Sequence, residues 1–347
     1  MGSIGASSFV IIGENIHCSR RVKREGTRVK MTPDGREAIA FQDEFGNESL
    51  LPVPEAIRNT EVYRNGNIPH VAAAVEAGRR GDDSQRKLGE AYLCWLARRQ
   101  AAKGSQYLDV NVDEVSPEIE DRDAAMTWVV GVLTRNFDVP LSIDSSEVST
   151  LRAGLEAVQQ AGGPRPMLNS ASLERPEAVD LAARYNSRAI VMSSGKTGLP
   201  SGVDDRCENL DAVIDMARSA GLAMGDLFAD PLIYTVSASP DVGVVCLETI
   251  RRVRAKYPEL HIAGGHSNIS FGLPNRRLLN AVWLSMATEA GADSGLIDPL
   301  TCHPDDVARL DPDSEAVRLA RAGFLCEDQY FMTYITAHRE GRLQSPW

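Results

Sequence analysis

The polar residues able to do chemistry in this 347-residue chain fall at the ends of short apolar runs. Gly-Glu-Asn-Ile-His occupies 13–17, and Asp109-Val110-Asn111-Val112-Asp113 closes a second run. Asp144-Ser145-Ser146, Asn169-Ser170-Ala171-Ser172, Asp230-Pro231, Gly264-Gly265-His266-Ser267-Asn268 and Asp298-Pro299 close others. An Asp or Ser after a strand commonly caps the next helix. Caps do not account for the whole set. Asp109, Asn111, Asp144 and Asn169 lie within apolar runs, where a buried polar group needs a partner. Carboxylates and amides converging from several strands can read a flat heterocycle. A carboxylate accepts paired N–H donors, and an amide satisfies ring nitrogens and a carbonyl. The set favours a small polar ring, such as an aminopyrimidinone, over an apolar or polyanionic ligand.

Other chemistries lack their signatures. There is no G-x-x-x-x-G-K-[ST] phosphate loop and no G-x-G-x-x-G after a strand. Ser193-Ser194-Gly195-Lys196-Thr197-Gly198 is glycine-rich and basic without that spacing, and reads as a strand–helix loop. The six histidines show neither H-x-x-x-H nor H-E-x-x-H, so no metal site is expected. No serine sits in an esterase elbow. The six cysteines are scattered and fit reduced cytoplasmic thiols. A formal charge of −11 argues against nucleic acid as a partner. No apolar run approaches the roughly 20 residues of a membrane span. Met1–Ser8 does not read as a secretory signal.

These residues need elements to hold them. Eight apolar, β-branched runs read as strands: Phe9–Asn15, Tyr107–Val112, Pro140–Ser145, Pro166–Ser172, Ala189–Ser194, Leu227–Ile233, His261–Asn268 and Ser294–Pro299. Amphipathic stretches lie between them. Leu151, Leu155 and Val158 repeat at helical spacing, as do Leu279, Val282, Trp283, Met286 and Ala290. Gly221 and Gly291 stand just past helix ends. Alternating strands and helices imply a parallel sheet. Eight repeats favour an α/β chain folded as one (β/α)8 TIM barrel domain over residues 1–347, with an open doubly wound sheet as the alternative. A barrel places its chemistry at the C-terminal ends of its strands, where the polar set lies.

Nine motifs then fall in order: Gly13-Glu14-Asn15-Ile16, Leu108-Asp109-Val110-Asn111-Val112, Ala125-Met126-Thr127-Trp128, Leu141-Ser142-Ile143-Asp144-Ser145-Ser146, Leu168-Asn169-Ser170, Lys196-Thr197-Gly198, Asp230-Pro231-Leu232-Ile233, Ser267-Asn268-Ile269-Ser270 and Pro274-Asn275-Arg276. Together they resemble the pterin-binding methyltransferases. The resemblance is to the methyltetrahydrofolate:corrinoid methyltransferases of acetogens, their relatives in demethylation pathways, and the folate module of cobalamin-dependent methionine synthase. It covers roughly Phe9–Ile16 and Ala72–Pro299. It implies a (β/α)8 barrel that moves a methyl group between N5 of tetrahydrofolate and the cobalt of a corrinoid protein. By resemblance, Asp144, Asn169 and Asp230 hold the pterin ring. Asn268 lies beside N5 and, with Asp144, carries the catalytic role. Ser267 and Arg276 shape the pocket, and Asp109 and Asn111 line its floor. The implied cofactors are tetrahydrofolate or 5-methyltetrahydrofolate, and cobalamin on a partner protein, since no D-x-H-x-x-G loop is present. A cytoplasmic homodimer is also implied. A dihydropteroate synthase shares the barrel and the pterin acids, but its basic R-x-H-like end and phosphate site are not evident. A non-catalytic folate-binding protein is the third reading.

The chemistry fits the residues. N5 of the methylated pterin is a poor leaving group unless positive charge can build on it. An asparagine beside it can donate a hydrogen bond to N5 and rotate as the charge state of N5 changes, so that it stabilises charge developing in the transition state.

Departures from the family pattern are Glu147 after Asp144-Ser145-Ser146, His266 before Ser267-Asn268, and Phe271-Gly272-Leu273 in place of polar residues. Glu147 suits a helix N-terminus. His266 is either a packed core histidine or a titratable group near N5. The largest departure is an insertion from about Cys18 to Pro69. Its first half is basic, with Arg20, Arg21, Lys23, Arg24, Arg28, Lys30 and Arg36. Pro33-Asp34-Gly35 and Phe45-Gly46-Asn47 read as hairpin turns. Placed after the first strand, this segment is expected at the catalytic face as a lid, a docking surface for the corrinoid protein, or a contact for folate glutamates. Glu327–Arg342 reads as an added helix within a C-terminal extension (325–343).

Overall fold

The computed structural model describes residues 9–343. The reading of Met1–Ser8 lies outside the described residues. Eight strands share one parallel sheet: β1 (Val10–His17), β2 (Tyr107–Asn111), β3 (Leu141–Asp144), β4 (Met167–Ala171), β5 (Arg188–Met192), β6 (Leu227–Asp230), β7 (His261–Ile262) and β8 (Ser294–Ile297). Their order across the sheet is β7-β6-β5-β4-β3-β2-β1-β8. A parallel bridge from Gly265 to Leu296 links the end of β7 to β8, so the sheet closes on itself. The fold is a (β/α)8 barrel. Every residue of β2 and of β4 is buried, which is why these strands read as continuous runs rather than alternating ones.

The described residues divide into two compact units, 13–169, and 170–343 with 9–12. In the first, α1 (His70–Arg80), α2 (Asp83–Ala101), α3 (Ile119–Asn136) and α4 (Val148–Gln160) follow their strands. A capping box of Asp82 and Gln85 starts α2. The stripe Leu151, Leu155 and Val158 is buried along α4. Glu147 occupies the N-cap position of α4, without a side-chain cap bond.

The insertion is built rather than loose. Val29–Met31, Glu37–Gln42 and Glu48–Pro52 form a three-stranded antiparallel sheet. The two expected turns join its strands, with Gly35 and Gly46 left-handed. Arg21–Lys23 pairs with Asn67–Pro69 to make a separate ribbon. The three-stranded sheet is docked on α2. Phe41 meets the Tyr92 ring edge-on at 5.2 Å and Trp95 at 6.2 Å. Arg28 bonds the Tyr92 hydroxyl and lies 5.1 Å from the Trp95 ring. The Tyr92 hydroxyl is 3.0 Å from His70 Nδ1. Much of the expected basic surface is neutralised locally. Arg20 pairs with Glu14, Arg24 with Glu37, Arg36 with Asp34 and Lys30 with Glu48.

In the second unit, α5 (Glu177–Arg184), α6 (Val203–Ser219), α7 (Val242–Lys256) and α8 (Arg276–Ala290) complete the repeats. Left-handed Gly221 and Gly291 follow α6 and α8 as the sequence suggests. Helix α9 (Glu315–Phe324) precedes the C-terminal extension, which holds α10 (Met332–Arg339). The last helix is shorter than expected. Tyr330 and Phe331 are left-handed, which breaks the helix before Met332. The Asp328 carboxylate instead accepts the backbone N–H groups of Thr333 and Tyr334. The break lets Phe331 meet Phe324 edge-on at 5.0 Å, and Phe324 lies 5.4 Å from Trp283 of α8. Among the described residues, no helix is long and apolar enough to cross a membrane.

Candidate active site

Strand register decides which side chains of the first unit meet. In β2 and β3, Asp109 is level with Ser142 and Asn111 with Asp144. In β3 and β4, Asp144 is level with Asn169. Two pairs result. Asn111 Nδ2 donates to Asp144 Oδ2 at 3.0 Å, and Asn169 Nδ2 donates to Asp109 Oδ1 at 3.1 Å.

Both amides are oriented by these bonds. Asn111 Oδ1 accepts from Cys18 Sγ at 3.3 Å and from the Asp113 N–H at 3.1 Å, which leaves its Nδ2 for Asp144. The Cys18 sulfur in turn accepts the Glu114 N–H. Burial pushes the Cys18 thiol up to about 12, so it stays a neutral donor. With Asn169 Nδ2 spent on Asp109, its Oδ1 is the atom left to take a ligand N–H.

Asp109 is only 1% exposed. Burial raises its carboxyl to about 7, while the neighbouring Ser142 hydroxyl and the Asn169 amide act to lower it, and Glu14 pushes the same way as burial. Asp113 sits one turn further on. It accepts from the Ser145 hydroxyl at 2.6 Å and from the Ser146 N–H at 2.8 Å, so it fixes the loop after β3.

His17 joins this cluster, with Nε2 3.8 Å from Asp144 Oδ2. The Ser19 N–H donates to His17 Nδ1 at 3.2 Å, which makes Nδ1 an acceptor and places the ring proton on Nε2. Burial, and then the Arg20 charge, hold His17 down to about 4, so it is neutral near pH 7.

The second unit carries the remaining predicted residues. Burial lifts the Asp230 carboxyl to about 6, while the Leu232 N–H and the Arg206 charge oppose that rise. The Leu232 N–H reaches Asp230 Oδ1 at 2.7 Å. Ser267 and Asn268 lie in a 3-10 turn, His266–Ser270, just beyond β7. Asn268 Nδ2 makes a long contact of 3.4 Å to the Ile233 carbonyl. A Cβ on Gly265 would lie 2.5 Å from Asn268 Nδ2, so glycine there makes room for the amide. Arg276 donates to the Ser267 carbonyl at 2.7 Å and to the Ser270 hydroxyl at 3.1 Å. Its guanidinium lies 4.1 Å from the centre of the Phe271 ring.

His266 is a packed core histidine. Trp283 Nε1 donates to its Nδ1 at 3.1 Å, so its Nε2 carries the proton toward the Ser294 carbonyl at 3.1 Å. Complete burial holds it down to about 4.

Comparison with known proteins adds the family. A family model described as pterin binding enzyme matches residues 83–298, more than half of the chain. The chain belongs to that family. This pterin binding enzyme is 26% identical over 284 residues to the methylcorrinoid:tetrahydrofolate methyltransferase of Eubacterium limosum, covering 80% of this chain and 95% of the relative. It is 29% identical over 217 residues to the methionine synthase of Mycobacterium leprae (strain TN), covering 58% of this chain but 17% of that protein. The chain therefore matches only about a sixth of a methionine synthase. Among solved structures, the 7,8-dihydropteroate synthase from Vibrio fischeri ES114 is 17% identical, covering 68% of this chain and 85% of that one at a TM-score of 0.49.

Within this pterin binding enzyme, the sequence picked out Asp109, Asn111, Asp144 and Asn169, and the structure brings them together as two bonded pairs. It did not pick out His17, Cys18, Asp113 or Arg206 as parts of the arrangement. His17 and Asp113 close strand-end motifs, which was their signal. Arg206 had a subtler one. With Leu210, Val213, Ile214 and Ala217 it occupies the buried stripe of α6, where an arginine is out of place.

Proposed function

We propose that this enzyme moves a methyl group between N5 of tetrahydrofolate and the cobalt of a corrinoid carried by a separate protein. The observation that carries the pterin half is the pair of pre-oriented side chains Asp144 on β3 and Asn169 on β4. Asn111 fixes Asp144 and Asp109 fixes Asn169, so a carboxylate and an amide oxygen are set to accept N–H donors of the kind a pterin ring presents. The likeness to the Eubacterium limosum methyltransferase, along most of both chains, supports methyl transfer as the reaction.

In this reading Asp109 and Asn111 act through Asn169 and Asp144 rather than on the ring itself. Asp230, largely desolvated, supplies a further carboxylate. Ser267 and Arg276 stiffen the turn that carries Asn268. The long contact from Asn268 Nδ2 to the Ile233 carbonyl costs little to exchange for a bond to N5. That bond strengthens as the methyl–N5 bond breaks and its electron pair returns to N5, which lowers the barrier to losing the methyl group. In the reverse direction the same amide orients unprotonated N5 as the nucleophile. The corrinoid supplies the cobalt that gives or takes the methyl group.

Methyl transfer between methylcobalamin and tetrahydrofolate, followed by the visible spectrum of the corrinoid, tests the proposal. Enzyme-dependent loss of the methylcobalamin spectrum with formation of 5-methyltetrahydrofolate is expected. Tight tetrahydrofolate binding with no transfer, to free cobalamin or to a corrinoid protein, would refute the methyl-transfer step.

A further inference from the structure

Arg206 is the one large basic side chain that α6 turns toward its buried face, at 1% exposure. Among the described residues no carboxylate forms an ion pair with it, and its Nε is buried without a hydrogen-bond partner. A buried cation so treated is costly. Its Nη1, by contrast, is closely used. Nη1 donates to the carbonyl oxygens of Pro231 and Leu232, the latter at 2.9 Å, and lies 3.3 Å from Cys246 Sγ. Its plane stands 5.3 Å from the Tyr234 ring. The carbonyls it grips belong to a strained turn. Leu232 has φ of +61°, a left-handed conformation that a leucine rarely adopts. That conformation is also what turns the Leu232 N–H onto Asp230 Oδ1 at 2.7 Å.

We propose that Arg206 is a positioning residue: by holding the Pro231 and Leu232 carbonyls it keeps Leu232 left-handed, and so locks the Asp230 carboxylate in place for the pterin. The last step rests on the reading that Asp230 takes part in pterin binding. The Cys246 thiol completes the clamp. Burial pushes it up to about 12, so it remains neutral, accepting from Arg206 and facing the Leu232 carbonyl at 3.8 Å. A stability role alone does not account for a buried cation with an unmet N–H, because an apolar side chain of similar length would fill the same place without desolvating a charge.

The test uses Arg206→Met, Leu232→Gly and their combination, each with three readouts. The first is the titration of Asp230 followed by carbon NMR. Arg206→Met removes both the nearby charge and the N–H held on Asp230, so its midpoint rises above that of the wild type. The second is tetrahydrofolate affinity by calorimetry. Arg206→Met weakens it by about tenfold, the scale of one lost hydrogen bond to a charged group. Adding Leu232→Gly recovers much of that loss, because glycine adopts the left-handed turn without restraint. The third is the melting temperature, which Arg206→Met leaves unchanged or raises.

An unchanged Asp230 titration in Arg206→Met overturns the proposal. So does a loss of affinity that tracks a fall in melting temperature and is not recovered by Leu232→Gly. If the wild type itself fails to bind tetrahydrofolate, the functional reading falls, while the Asp230 titration still decides whether Arg206 positions that carboxylate.

Discussion

Replacing Asp109 by asparagine should make the protein more stable at neutral and alkaline pH while weakening its hold on folate. Asp109 is completely desolvated, and its carboxyl is raised from 3.8 to about 7. Below pH 3.8 it is protonated in folded and unfolded chains alike and costs nothing. Between about 4 and 7 the unfolded chain gives up its proton while the folded chain keeps it, so stability falls with rising pH. Above 7 both forms are ionised and the full penalty persists. The gap between 3.8 and about 7 sets an upper bound of roughly 4 kcal/mol, at about 1.36 kcal/mol per pH unit. Asparagine carries no such penalty, and its Oδ1 can still accept from Asn169. Allowing about 2 kcal/mol for weakened hydrogen bonds, a net gain of about 2 kcal/mol remains at pH 8. In a chain of this length that is a rise of a few degrees in melting temperature. The cost appears at Asn169. With only a neutral acceptor its amide is held less firmly with Oδ1 toward the ligand, and tetrahydrofolate affinity should fall by about tenfold. Thermal unfolding of both proteins at pH 5 and pH 8, with calorimetric binding at pH 8, makes the comparison. If Asp109→Asn melts no higher than wild type at pH 8, or if the difference is the same at both pH values, the reasoning about the buried carboxyl is wrong.

Three further outcomes are expected. Asp144→Asn should weaken tetrahydrofolate binding by roughly 1.5–3 kcal/mol, the range for hydrogen bonds to a charged group, and calorimetry on the folded variant checks it. Asn268→Ala should lower turnover on the order of 10²-fold, like the removal of one preorganised donor, and lower affinity far less; single-turnover rates beside a melting curve separate this from a merely structural part. His266 is depressed from 6.5 to about 4, so the stability tied to its neutral form is present above 6.5 and is lost as pH falls toward 4. His266→Asn should therefore make stability depend less steeply on pH between those values, by about 1.36 kcal/mol per pH unit, as measured by urea unfolding at several pH values.

The rhythm of the barrel was legible in the sequence because a strand buried on both faces must be apolar throughout and an amphipathic helix must repeat at its own period. All eight runs became strands, with ends displaced by a residue or two in most cases and further at β6 and β7, where the chain leaves the sheet early for turns. The motif order was equally legible, since each polar set lies in or just beyond the C-terminal part of a strand and a barrel brings those ends to one face. The insertion's hairpin turns announced themselves through Asp34-Gly35 and Gly46-Asn47, whose glycines supply positive φ. The destination of its charges did not. Arg24 finds Glu37 and Arg20 finds Glu14 only after the chain has folded back, so a basic stretch in sequence becomes a set of ion pairs in space. In the same way, composition could name Asp109 and Asn169 as polar residues needing partners, but only the stagger of β2, β3 and β4 made them partners of each other. His266 could be a core residue or a titrating one until Trp283, seventeen positions away along the chain, supplied the donor that settled its proton. Arg206 interrupts the apolar stripe of α6, and only the left-handed turn at Leu232 gives it something to hold. Local pattern decides which residues are buried; which buried polar groups meet depends on register and on turns between distant segments, and these exist only in the folded chain.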